Sequence, residues 1–176
     1  FEKNGGVLKY TGSSIKYIEC SEPLYNCFDG LLAPLNVSEV KIDWYLNKKE
    51  ALVAFEYIDL CNKDIIIAEN VTFYSNKKIR NGTLRITSIT SSFGLSMTDL
   101  YFSGYMTVNI LSAYNCVLNV ASGHLTFAGA VFHNCRITTN MDDLNLTAES
   151  VEAYNSVLDC NLIITNGLKT INTTAK

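Results

Sequence analysis

Three carboxylates in the C-terminal half of the chain have the residue types that glycoside hydrolysis requires. Asp142 and Asp143 are adjacent, and Asp159 follows further along the chain. Hydrolysis of a glycosidic bond uses two carboxyl groups roughly 5–10 Å apart. A chain that coils with a matching period would bring these side chains onto neighbouring coils. The Asp-Asp pair fits a solvated turn equally well, so the sequence favours binding over catalysis.

Three rings share one sequence context: Tyr114, His133 and Tyr154 each directly precede an asparagine. Proteins that bind carbohydrate use aromatic side chains together with polar groups. If these rings face outward, they form a column on one side of the coil and are the candidate glycan-binding residues. Internal aromatic stacking would produce the same spacing, and the sequence leaves both possibilities open.

The asparagines that follow these rings are Asn115, Asn134 and Asn155, and their intervals are nearly equal. The residues around them are mostly β-formers. A repeat of about 20 residues built from strands is typical of a solenoid, in which each coil stacks on the next. Asparagine tolerates left-handed backbone geometry. We therefore expect these residues to occupy one repeated corner and to form a structural ladder of side-chain hydrogen bonds.

Composition excludes several classes of function. The chain has 176 residues, of which 48% are hydrophobic and 18% charged, with a net charge of −3. No basic run is present, which argues against nucleic-acid binding. No apolar stretch approaches the roughly 18 residues of a membrane span, so we expect no membrane insertion. No CxxC or His/Cys cluster occurs, so we predict no metal site and no cofactor.

Six cysteines are present, and two of them, Cys116 and Cys135, occupy the same place in consecutive repeats. Neighbouring strands lie about 4.8 Å apart, a distance at which a disulfide can form. Two small buried side chains would account for the spacing as well. Cys20 and Cys27 could close a short loop in an extracellular protein.

Strand patterns dominate from residue 64 onwards and alternate with turns. This argues against a βαβ sheet, whose parallel strands need helical crossovers. Coil length varies and no six-residue period holds, which favours the right-handed coil. The apolar runs that predict the main strands are 65–68, 84–87, 108–111, 125–128, 144–147 and 162–165.

One helix is predicted before these strands, over residues 48–61. Asn47 is a suitable N-cap, and Glu50 follows at capping-box spacing. We therefore divide the chain into an irregular N-terminal segment (1–40), a capping-helix region (41–63) and the coils (64–176). No comparable cap follows residue 171, so we expect either that the last coil is left open or that a further domain or another subunit covers it.

Residues 40–86 resemble the opening of pectate-lyase-like right-handed β-helix proteins. In that family an Asp-containing segment leads into a capping helix, a strand follows, and then a phrase of the type Asn-Gly-Thr-apolar. Bacteriophage tailspikes share this layout. The resemblance implies binding or cleavage of acidic polysaccharide and assembly into trimers. The matching segments are 40–44, 48–61, 64–73 and 79–86.

The catalytic motifs of the polygalacturonase branch do not fit. Gly-His at 123–124 and Asp-Asp at 142–143 stand in the wrong order, and the other two motifs are absent. A lyase would need basic residues in the coils, yet Arg136 is the only Lys or Arg within residues 86–168. Enzymatic function therefore has little support from these motifs.

These observations predict an all-β protein, a right-handed parallel β-helix with coils of about 19 residues and an N-terminal capping α-helix. The function expected is that of a viral tailspike or surface-fibre segment. It would attach to host cell-surface polysaccharide, lie on the virion surface or outside the cell, and form a homo-oligomer, most simply a trimer. Two alternatives stay open: a polysaccharide-degrading hydrolase or lyase on the same fold, and a purely structural fibre or adhesin segment.

Overall fold

Strands make up 78% of the residues that the structure describes. The computed structural model describes residues 8–9, 14–15, 27–29, 33–34, 39–120, 124–139 and 145–175. The candidate residues Asp142 and Asp143 and the cysteine Cys20 lie outside these ranges.

The described elements include two short helices, a 3₁₀ helix (Ile42–Trp44) and α1 (Lys48–Ala54). The strands are β1 (Leu8–Lys9), β2 (Ser14–Ile15), β3 (Phe28–Asp29), β4 (Ala33–Pro34), β5 (Val40–Lys41), β6 (Tyr57–Phe73), β7 (Lys77–Tyr114), β8 (Val117–Val120), β9 (His124–His133), β10 (Arg136–Thr139), β11 (Asn145–Tyr154), β12 (Val157–Leu158), β13 (Asn161–Ile171) and β14 (Thr174–Ala175).

The strands pair in parallel and wind into a β-solenoid of about 7 turns, with coils of about 19 residues. Ten strands belong to one sheet system. Leu125 of β9 pairs with Met106 on one side and with Leu146 on the other, which shows the register between successive coils. The predicted parallel β-helix is confirmed, and the right-handed sense of its coil stays a prediction.

Alternate residues point into the coil and stack on their counterparts in the neighbouring coils. Phe132 is fully buried and lies in register between Ala113 and Ala153. Its ring meets that of Phe127 edge-on, with centroids 6.4 Å apart. At this position a large side chain is flanked by two small ones along the axis, which fills the interior without overpacking.

Helix α1 begins where the sequence predicts. The Asn47 side chain accepts a hydrogen bond from the Glu50 backbone N–H at 3.1 Å. The predicted C-terminal part of the helix is wrong, because α1 ends at Ala54 and strand β6 begins at Tyr57. Ile58 pairs with Ile79 in the next coil. This sheet pairing prevails over local helix propensity.

A buried lysine attaches α1 to the first long coil. Lys77 donates from Nζ to the carbonyl oxygens of Val53 and Phe55, the latter at 2.7 Å. These carbonyls lie at the C-terminal end of the helix, where backbone acceptors lack helical donors and attract cations. Burial lowers the pKa of Lys77 from its ordinary value.

Parallel pairing also occurs on the N-terminal side of α1. Leu8 pairs with Phe28, and Ser14 pairs with Ala33, at sequence offsets close to one coil length. Phe28 in turn forms a parallel bridge with Tyr45. Strand pairs at the solenoid period therefore stand on both sides of α1 in the sequence.

Gly104 allows two coils to approach closely. Its φ is +149°, and a Cβ at this position would lie 2.1 Å from the carbonyl oxygen of Ile86. No side chain fits at that distance, so the close approach requires glycine.

The last described coil is only partly covered. Leu168 pairs with the buried Val151 but is itself 50% exposed. Leu162 and Ile164 are half-buried, and together with Leu168 they line an open cavity of about 390 Å³.

Candidate functional site

The repeated asparagines turn the chain at one corner of the solenoid. Asn115, Asn134 and Asn155 have φ values of 54°, 51° and 49°. This left-handed geometry is costly for most residues but is tolerated by Asn and Asp. The same conformation recurs at Asp99 and Asn172, which the repeated phrase did not reveal because their neighbouring residues differ.

Side-chain amides connect these corners along the solenoid axis. Asn115 Nδ2 donates to Asp99 Oδ1 at 3.0 Å, and Asn134 Nδ2 donates to Asn115 Oδ1 at 3.1 Å. Asn172 Nδ2 donates to Asn155 Oδ1 at 3.2 Å. Each of these donors reaches back to the preceding coil, and the donor of Asn115 reaches the carboxylate of Asp99.

A second series of polar atoms follows the corner by one residue. Cys116 and Cys135 lie at this position, each with its sulfur 3.2 Å from the carbonyl oxygen of the residue two before it. Ser156 occupies the same position in the next coil, and its hydroxyl donates to the Tyr154 carbonyl at 2.8 Å. Thr173 repeats the contact with the Ile171 carbonyl at 3.1 Å. Thiol and hydroxyl groups thus act as equivalent donors behind the corner.

The three candidate glycan-binding rings form a continuous outward column. His133 stacks on Tyr114 with ring centroids 5.0 Å apart and on Tyr154 with centroids 4.5 Å apart. Both interplanar angles are 6°. Tyr114 is 41% exposed. The ring planes lie across the solenoid axis, so the rings cover one another's faces and present their edges to solvent.

An ion pair lies beside the column at its C-terminal end. The Tyr154 hydroxyl donates to Glu152 Oε2 at 2.5 Å, and Lys169 Nζ lies 3.7 Å from the same carboxylate oxygen. The ammonium also lies 5.3 Å from the Tyr154 ring centroid. The Tyr154 hydrogen bond and the Lys169 charge hold the pKa of Glu152 below its usual value. Hydrogen bonding to Tyr154 and the Glu152 charge raise the pKa of Lys169.

Two described carboxylates of the C-terminal coils, Asp159 and Glu152, do not lie on the same strand. The Asp159 side chain is exposed and follows β12, whereas Glu152 lies in β11, on the other side of the Asn155 corner. Asp142 and Asp143 lie outside the described residues, so their proposed partnership with Asp159 stays a prediction.

A polar group that the sequence analysis missed lies on another face. Asn119 Nδ2 donates to the Tyr101 hydroxyl at 2.8 Å, and the Arg85 guanidinium lies 5.5 Å from the Tyr101 ring centroid. Asn119 Oδ1 is buried without a hydrogen-bond partner. Only the register reveals this group, because Arg85, Tyr101 and Asn119 share no sequence motif.

Within the described ranges, no cluster of His, Cys, Asp or Glu has the arrangement of a metal site. No helix in the same part of the chain has the length and apolar character to cross a bilayer. No family model, curated protein or solved structure matches the chain. The fold and the geometry of the aromatic column therefore provide the basis for a functional assignment.

Proposed function

We propose that the protein is a segment of a surface fibre of the tailspike type that attaches to cell-surface polysaccharide. The observation that carries this proposal is the outward column of Tyr114, His133 and Tyr154. Three in-register rings on a rigid parallel sheet form a linear surface that extends over successive coils. A linear surface of repeated groups suits a polymer better than a small, compact ligand.

The geometry favours contact through ring edges and polar atoms. The faces of His133 are covered by Tyr114 and Tyr154, so stacking of a sugar on this ring is blocked. The tyrosine hydroxyls and the imidazole nitrogens are the polar atoms of the column, and the Glu152–Lys169 pair adds a carboxylate and an ammonium. Sugar hydroxyls both donate and accept, so they match this mixed set of groups. The ligand would lie along the solenoid axis.

Assembly and location follow from the same hypothesis. A pectate-lyase-like, tailspike-type β-helix would lie on the virion surface or outside the cell and would assemble as a trimer. The low charged fraction of 18% supports burial of additional surface between subunits. Exposed apolar residues support it as well, among them Ile66 at 69% and Ile110 at 50% exposure.

Variants of the column test the binding proposal. We expect Tyr114→Ala and Tyr154→Phe each to weaken binding of the full chain to immobilised bacterial and host polysaccharides, about ten-fold for the loss of contacts worth about 1.4 kcal/mol. Tyr101→Phe removes a hydroxyl from another face and serves as the matched control. Equal binding by all four proteins, or an absence of binding by the wild type across a broad glycan array, would overturn the proposal.

The stacked rings also favour a second candidate, a structural fibre segment. Face-to-face aromatic contacts across strands stabilise a sheet, by roughly 0.5–1.5 kcal/mol per pair. In that case His133→Ala would lower the unfolding midpoint. Tyr154→Phe, which keeps the ring and loses only the hydrogen bond to Glu152, would lower it less and would change no glycan interaction. Glycan binding by the wild type that Tyr154→Phe weakens would exclude this purely structural role.

A further inference from the structure

Two buried thiols lie side by side directly behind the aromatic column. Cys116 and Cys135 follow Asn115 and Asn134, and the residues on either side of them are in register: Tyr114 with His133, and Val117 with Arg136. The Arg136 N–H donates to the Cys116 carbonyl at 2.9 Å, which joins the two strands at the cysteines themselves.

The separation of these cysteines matches the geometry of a disulfide. Adjacent parallel strands place in-register Cα atoms about 4.8 Å apart, and disulfides occur at Cα separations of about 4.4–6.8 Å. Cys116 is 1% exposed and Cys135 is 3% exposed, so both sulfurs face the interior. A single covalent bond could therefore join the two coils without a change of register.

The two sulfurs also influence each other's protonation. The side-by-side contact of the two thiols lowers the pKa of Cys135 and raises the pKa of Cys116. The thiolate is the form that attacks a disulfide. Either sulfur can therefore attack a disulfide once it is deprotonated, and the other lies beside it to complete the exchange.

We propose that Cys116 and Cys135 form an oxidisable dithiol, which a small-molecule disulfide converts into an inter-coil disulfide behind the aromatic column. One of the two cysteines loses its proton to solvent, and its sulfur attacks one sulfur of glutathione disulfide. The glutathione S–S bond breaks, and one glutathione leaves as a thiol after taking up a proton. The other cysteine then loses its proton to solvent, and its sulfur attacks the protein sulfur of the mixed disulfide. The mixed S–S bond breaks, and the second glutathione leaves as a thiol after taking up a proton. Two protein thiols are oxidised, and one glutathione disulfide is reduced to two thiols.

This site is independent of glycan binding, although it lies next to the proposed binding surface. In the reduced state the thiols lie 3.2 Å from the carbonyl oxygens of Tyr114 and His133. Oxidation removes both S–H donors and links the coil that carries Tyr114 to the coil that carries His133. The linkage would hold these two rings in stacking contact even when the surrounding sheet opens.

The experiment is refolding of the full chain in a glutathione redox buffer, followed by alkylation and peptide mapping. Refolding gives both thiols access to glutathione before burial. We expect a peptide pair joined through Cys116 and Cys135, the loss of two free thiols at these positions, and native β-sheet circular dichroism. A natively folded product in which both cysteines are alkylated as free thiols would overturn the proposal.

Serine variants make the result specific. Ser156 occupies the equivalent position one coil later, so Cys116→Ser and Cys135→Ser have a precedent within the chain. Each should fold and lose the inter-coil peptide pair. Cys160→Ser, at a buried cysteine outside the corner series, should retain it. Loss of the pair in Cys160→Ser, or its persistence in Cys135→Ser, would also contradict the assignment.

Discussion

Asn134 donates its side-chain amide to the side-chain oxygen of Asn115 at 3.1 Å, although the two lie 19 residues apart in the chain. The backbone N–H of Asn134 meanwhile donates to the carbonyl of Tyr154 in the following coil at 3.0 Å. One residue therefore bonds to the coil before it and to the coil after it. The corner fixes the positions of both the aromatic column and the thiols, because each lies one residue away from an asparagine.

Replacement of Asn134 should reveal what the corner requires. Asn134→Ala loses the amide rung and must adopt left-handed geometry with an ordinary side chain, so we expect a loss of about 2 kcal/mol in the free energy of unfolding. Asn134→Gly adopts the left-handed geometry easily but also lacks the amide, so its free energy of unfolding should fall less than that of Asn134→Ala. Urea denaturation measures both, with the exposed Asn109→Ala as the control. Equal stability of the Ala and Gly variants would show that backbone geometry is not the main requirement.

Gly104 should tolerate no side chain. Gly104→Ala forces a methyl group into contact with the Ile86 carbonyl. We expect this substitution to cost about 3 kcal/mol. Gly167 has open space around an added Cβ, so Gly167→Ala should leave stability nearly unchanged. Thermal and urea unfolding of the pair test this contrast, and similar stabilities for the two variants would contradict the close approach of the coils at Gly104.

Phe132 should contribute more to stability than any exposed aromatic residue. Phe132→Ala would place three alanines in register with Ala113 and Ala153. The cavity left behind should cost about 4 kcal/mol. Phe93 is 41% exposed, and Phe93→Ala should cost much less. The difference in urea midpoint between the two variants is the measurement, and a small loss in Phe132→Ala would mean that the coil collapses around the missing ring.

Lys77 should make stability depend on pH in the alkaline range. Burial lowers its pKa in the folded state below the ordinary value of 10.5. The unfolded chain therefore binds more protons between these two pKa values, so stability from this residue is complete above the ordinary pKa and is lost as pH falls through the folded-state pKa. Lys77→Met should show a smaller rise in unfolding free energy as pH increases through this window. Parallel pH profiles for wild type and variant would refute this assignment.

Much of the fold could be predicted because the sequence repeats its corner. The phrases around Asn115, Asn134 and Asn155 indicate stacking, and Asn47 and Glu50 mark the start of α1. The end of α1 could not be predicted, because Ile58 fits a helical stripe as well as the strand position it occupies opposite Ile79. The local sequence pattern cannot decide between helix and strand when pairing with a distant strand stabilises one of them.

The pairing register between successive coils could not be predicted from the sequence either. The predicted runs begin at Val108 and Leu144, whereas Leu125 pairs with Met106 and Leu146. A displacement of two residues keeps the same side chains inward, so alternation alone cannot detect it. The outward direction of Tyr114, His133 and Tyr154 could not be predicted for a related reason. Their spacing predicts that the three rings align, but it does not decide whether they face the interior or the solvent.

Coil length varies in this solenoid although its corner does not. Asn115 lies 16 residues after Asp99, and Asn134 lies 19 residues after Asn115. Asn172 lies 17 residues after Asn155, yet in all three steps a side-chain amide donates to a side-chain oxygen of the preceding corner. Insertions and deletions are thus accommodated between corners without disturbing the hydrogen bonds at them. Related chains could differ in length by many small indels and still superimpose corner by corner. Their common ancestry would then be recognised by aligning corners, because alignment at a constant repeat length would fail.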